Sequence, residues 1–83
     1  MSEAVRLTLL SRTYCHLCED MAVAVAPLLD IYGLEMDILD VDENPDLEVR
    51  YGAFVPVLLA GDVELSRFHL DIGKVRDYLE KIR

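Results

Sequence analysis

Near the start of the chain, Val5, Leu7 and Leu9 alternate with Arg6 and Thr8. A period of two sends successive side chains to opposite faces, so a first strand is expected from about Val5 to Leu10. The pattern then lengthens. Leu17, Met21, Ala24/Val25, Leu28 and Tyr32 recur at helical spacing from Cys15 to Tyr32, and Gly33 is a natural stop. Pro27 lies inside that helix, removes one backbone donor and is expected to kink it. Met36 to Val41 reads as a second strand, with Asp37 and Asp40 suiting an edge position.

In "ENPDLEVRYG" the punctuation of a short helix is visible: Asn44 as N-cap, Pro45 at the first helical position, Gly52 after the last turn. Val57–Ala60 and Val63–Leu65 flank Gly61-Asp62, a two-residue hairpin signal. A last helix is expected from about Asp71, its N-cap, to the end of the chain. Ile72, Val75, Leu79 and Ile82 form its buried stripe, and Lys81 and Arg83 suit the negative end of its dipole. The element order is β-α-β-α-β-β-α. A right-handed parallel crossover followed by a hairpin gives a mixed four-stranded sheet with helices packed on it, a three-layer α/β domain.

Composition narrows the possibilities further. At 83 residues, with 53% apolar content and 29% charged residues, one compact domain spanning 1–83 is expected, with stability of roughly 4–12 kcal/mol. Sixteen acidic residues against eight basic ones leave a net charge of −8. Such a chain repels phosphate backbones and anionic membranes, so neither nucleic acid nor a membrane is expected as partner. The opening "MSEAVRL" has no basic region followed by an apolar core, and the apolar run from Met21 to Leu29 ends at Asp30, too short to cross a bilayer. A cytoplasmic location is expected, where thiols stay reduced and a permanent disulfide staple is disfavoured.

The candidate chemistry lies in "SRTYCHLCEDM", which holds both cysteines, Cys15 and Cys18. Cys15 falls where the first strand gives way to the helix, and Cys18 about one turn inside. Free amides and the positive end of the dipole favour a thiolate at Cys15, and the i, i+3 spacing puts the second sulfur on the same face. His16 adds positive charge when protonated, whereas Glu19 and Asp20 oppose thiol ionisation. A CxxC that opens a helix after a strand reads as a redox motif. A structural zinc site needs about four ligands and would have to recruit His16 and His69. A spacing without chemical meaning is the third reading.

With these residues laid out, the chain resembles a small glutaredoxin-like protein of the thioredoxin fold over nearly its whole length. "LTLLSRTYCHLCEDM" is similar to a glutaredoxin's first strand and active-site loop, and "DILDVDENPDLEVRYGAFVPVLLAGDVEL" to the stretch from second strand to hairpin. The resemblance implies a thiol–disulfide oxidoreductase with Cys15 as exposed nucleophile and Cys18 as resolving thiol. It implies a cis peptide bond at Pro56, facing the cysteines, with the Val55 backbone pairing with an extended substrate segment. Arg12 matches the basic residue ahead of the motif and is placed to meet a substrate carboxylate. Tyr14 is expected to pack beside the site or cover it, and Phe54 and Phe68 to be core or edge residues.

Departures from the family pattern bear on substrate. His16 and Leu17 stand where a glutaredoxin has proline and an aromatic, Val55 replaces threonine, and "LSRFHLDIG" replaces the glycine pair that helps hold glutathione. The expectation is therefore a disulfide-bearing protein or small thiol as substrate and a monomeric chain. No dissociable cofactor is required, and glutathione as reductant is supported weakly. The alternatives are an iron–sulfur or metal carrier using Cys15, and a thioredoxin-fold binding module without turnover.

Overall fold

A computed structural model describes residues 6–82. Strand β1 (Arg6–Ser11) leads into helix α1 (His16–Tyr32), then strand β2 (Glu35–Asp40) and a single 3₁₀ turn (Val41–Glu43). Helix α2 (Pro45–Tyr51), a second 3₁₀ turn (Gly52–Phe54), strands β3 (Val57–Ala60) and β4 (Val63–Arg67) and helix α3 (Ile72–Ile82) follow. The sheet order is β2-β1-β3-β4: β1 and β2 run parallel, while β1–β3 and β3–β4 are antiparallel. This is the mixed four-stranded sheet expected from the pattern.

Strand alternation divides the apolar residues between two cores. Leu7 and Leu9 of β1 and Leu58 and Ala60 of β3 face Met21, Val25 and Leu28 of α1 and Val75 and Leu79 of α3. Their neighbours Leu10, Val57 and Leu59 face the other way, with Val41, against Leu47 and Tyr51 of α2. One sheet thus carries two helices on one face and one on the other, three layers in all. The Tyr32 hydroxyl donates to Glu80 and ties α1 to α3.

Local signals explain most boundaries. Gly33 takes a left-handed φ of 64° and its N–H returns to the Leu29 carbonyl, closing α1. Asn44 and Asp71 cap α2 and α3, accepting from the Leu47 and Lys74 amides at 3.4 and 3.0 Å. Gly61, at φ 60°, turns the hairpin. The helix continues through Pro27, which is exposed.

Three expectations need correction. Val41 does not end β2; it opens the 3₁₀ turn and is fully buried in the α2-side core. Gly52 follows the last turn of α2, as expected, and with right-handed helical angles (φ −54°, ψ −34°) it leads the chain into the second 3₁₀ turn. Ile72 and Ile82 do not belong to the buried stripe of α3, being 53% and 42% exposed. They sit at the two ends of a helix whose middle alone meets the sheet, through Val75 and Leu79, with Tyr78 half-buried beside them. Val5 and Arg83 lie outside the described residues. Among the described residues no helix is long and apolar enough to cross a membrane.

Candidate active site

The site forms where β1 ends. Residues 12–15 make a tight turn, closed by the Cys15 N–H donating to the Arg12 carbonyl at 3.2 Å. Tyr14, the third residue of that turn, sits at φ 62°, a position that turns of this kind usually give to glycine. Its ring is fully exposed, so it neither packs beside the cysteines nor covers them, contrary to expectation.

Cys15 is the N-cap of α1. Its Sγ accepts the Cys18 backbone N–H at 3.1 Å, so the sulfur meets one of the amides that the first helical turn leaves without an internal partner. Cys15 is half-buried, while Cys18 is only 3% exposed. The two are joined as a disulfide, with Cα atoms 5.2 Å apart. Between them His16 is exposed, with Nε2 3.9 Å from an Asp20 carboxylate oxygen, and Leu17 is half-buried.

The pairing of Leu10 with Val57 brings the start of β3 alongside the end of β1 from which the cysteine loop departs. The Val55–Pro56 peptide bond at that point is cis, as the resemblance implied. Pro56 is buried, and its carbonyl accepts the Phe68 N–H at 2.8 Å. Val55 is half-buried and extended, at φ −63° and ψ 146°. Phe68, at φ 65° and 39% exposed, meets Phe54 edge-on with centroids 6.3 Å apart. The Arg67 guanidinium stacks 4.3 Å above the Phe54 ring. Both phenylalanines therefore sit at this end of the sheet. His69 is exposed in the connection to α3.

Arg12, expected to meet a substrate carboxylate, is paired here with two carboxylates of the chain itself. Its Nε donates to Asp42 at 3.1 Å and a terminal nitrogen pairs closely with Glu48. The Glu48 hydrogen bond above all, with the charges of Asp42 and Glu48, holds the guanidinium pKa above its ordinary range, against a desolvation cost. Beside it the Thr13 hydroxyl donates to Asp40 at 3.1 Å, and the other Asp40 oxygen caps the 3₁₀ turn through the Asp42 N–H at 2.8 Å. The loop before the cysteines is thereby tied to the far layer by Asp40, Asp42 and Glu48. Sequence reasoning missed all three, because their partners lie 27 to 36 positions away.

Fold and site together define a thioredoxin-fold protein with a CxxC pair at disulfide distance, an arrangement that points to redox function. Residues 6–80 match the glutaredoxin-like domain (DUF836), and the chain belongs to that family. The solution structure of protein Ne2328 from Nitrosomonas europaea is 32% identical, covers 94% of both chains and superposes with a TM-score of 0.83. The uncharacterized protein Rv0508 of Mycobacterium tuberculosis is 32% identical over 76 residues, 86% of this chain and 78% of that one. Thioredoxin 1 from Thermosipho africanus shares the fold, with a TM-score of 0.63 over 93% of this chain and 97% of its own at 22% identity.

Proposed function

We propose that the protein is a small thiol–disulfide oxidoreductase in which Cys15 is the nucleophile and Cys18 the resolving thiol. The observation that carries this reading is the asymmetry of the pair. One sulfur caps the helix on an amide at its half-exposed start, and the other is buried one turn inside. The amide and helix dipole stabilise negative charge on Cys15 and so favour the attacking thiolate.

The chemistry balances on the sulfurs alone. The Cys15 thiolate attacks a substrate disulfide, forms a mixed disulfide and expels one substrate thiolate, which takes a proton from water. Cys18, once deprotonated, attacks Cys15 Sγ, closes the intramolecular disulfide and releases the second substrate thiol. Two electrons have passed from protein to substrate, and no dissociable cofactor takes part. The extended backbone at Val55, ahead of the cis bond to Pro56, supports an extended substrate segment pairing there, as the glutaredoxin resemblance implies. A reducing compartment such as the cytoplasm fits a cycle that must return the disulfide to the dithiol.

The test uses reduced protein, a simple disulfide and the release of thiol followed by absorbance. Wild type should turn over, Cys15→Ser should be inert, and Cys18→Ser should form one mixed disulfide per chain and stop. Retained turnover in Cys15→Ser, or first alkylation of Cys18 in reduced protein at pH 7, would refute the role assignment. Visible absorption after anaerobic purification would make the protein an iron–sulfur carrier through Cys15. Failure on every disulfide would leave a binding module on the same fold. Running the assay with glutathione and with a thioredoxin-type system as donors decides which reductant serves it.

A further inference from the structure

The active-site loop from Ser11 to Cys15 contains one cationic side chain, Arg12, in a chain of net charge −8. That cation is occupied by Asp42 and Glu48, one on Nε and one on a terminal nitrogen. The occupation is built into the fold from behind. Gly52 lies under the Glu48 carboxyl so closely that a Cβ there would fall 2.5 Å from it, and the three nearest atoms all belong to that carboxyl group. Glycine at 52 lets Glu48 fold back and reach Arg12. Beside the pair the Asp40 carboxylate is already on Thr13, the neighbour of Arg12.

We propose that Asp42 and Glu48 are specificity-determining residues. By holding Arg12 they withdraw it from substrate recognition, so the site accepts neutral and cationic disulfides and rejects anionic ones. This deepens the oxidoreductase reading and rests on it. Arg12 with both carboxylates carries one net negative charge instead of one positive charge, at the mouth of the loop that presents Cys15. An anionic disulfide finds no unpaired guanidinium there and meets a field of its own sign. A cationic segment meets the opposite field.

The experiment reads charge selectivity at Cys15 without requiring turnover. Reduced Cys18→Ser protein, in which Cys15 is the remaining thiol, is treated with three methanethiosulfonate reagents of similar size: trimethylammonium, neutral and sulfonate. In each case the Cys15 thiolate forms a mixed disulfide and displaces methanesulfinate, and mass spectrometry follows the rate. Dividing by the neutral reagent's rate cancels any change in thiolate fraction. The cation is expected to outpace the anion by about tenfold or more at low ionic strength, and the ratio should shrink as salt screens the field.

A double-mutant cycle then isolates Arg12. With the carboxylates intact, Arg12→Met should change the normalised sulfonate rate by no more than about threefold, and in the Asp42→Asn/Glu48→Gln background by about tenfold, because there the guanidinium is free. Equal effects of Arg12→Met in both backgrounds, or a wild-type preference for the sulfonate, would overturn the proposal. Turnover of cystamine against oxidised glutathione is the companion measurement. Inactivity on both would sink the oxidoreductase reading while the labelling ratios still judge the charge selectivity by themselves.

Discussion

Replacing Gly52 by alanine perturbs the active-site loop from a distance without touching any residue assigned to chemistry. Gly52 has right-handed helical angles, so alanine meets no backbone strain there, and loss of glycine's freedom in the unfolded chain favours the folded state by about 0.5–1 kcal/mol. The new methyl collides with the Glu48 carboxyl, the far end of a flexible side chain. Glu48 is expected to swing into solvent and release its grip on Arg12. That ion pair is largely exposed and screened, so its loss takes little from global stability. The two effects oppose each other, and the melting temperature should stay within about 5 °C of wild type. The assay pairs denaturation with the Arg12 Nε–H signal and its exchange rate by NMR: stability nearly level, the arginine signal shifted and exchanging faster. Destabilisation beyond about 2 kcal/mol, or an unchanged arginine signal, would mean that the methyl displaces backbone, or that Glu48 yields without letting go of Arg12. Either result refutes the argument from Gly52.

Three further outcomes follow from the packing and charges. Leu58→Ala empties a fully buried position on an interior strand and should cost about 3–5 kcal/mol in urea titrations, a large share of a total of roughly 4–12 kcal/mol. Asp71→Ala removes the cap on the Lys74 amide and should cost about 1 kcal/mol, with Asp71→Asn retaining most of it. Hydrogen bonds from Arg6 and Arg67 hold the carboxyls of Asp37 and Glu64 below their ordinary values of 3.8 and 4.5. Depressed folded-state pKa values mean that these pairs stabilise the fold above those values and fade as the pH falls through the lowered ones. Arg6→Met and Arg67→Met should therefore lower the urea midpoint at pH 7, and the difference from wild type should shrink as the pH is taken down below 3.8 and 4.5.

Much of this architecture was legible in the sequence because its signals are local. Alternation in Leu7–Leu10 and Val57–Ala60 and the caps at Asn44 and Asp71 each act within a few residues, and the folded chain keeps them. The CxxC at a strand-to-helix junction was legible for the same reason. What escaped notice is long-range or conformational. Arg12 carries no mark of its carboxylate partners 30 and 36 positions onward, and it read equally as a substrate contact. Tyr14 and Phe68 hold left-handed backbone angles that no propensity assigns to aromatic residues. Gly52 follows the end of a helix, as its place in the sequence suggested, and it also makes room for the Glu48 carboxyl, which only the folded chain reveals.

Strand β2 lies at the rim of the sheet, with β1 on one side and no further strand of the described residues on the other. Ile38 and Leu39 are 58% and 43% exposed there, which makes this rim a template for another chain to zip onto. The acidic residues Glu35, Asp37 and Asp40 are interleaved with them and add negative charge to this border, offset in part by Arg6, which pairs with Glu35 and Asp37. Near pH 4.5, where the sequence carries no net charge, the repulsion between whole chains falls away, and self-association through this border is expected to be strongest there.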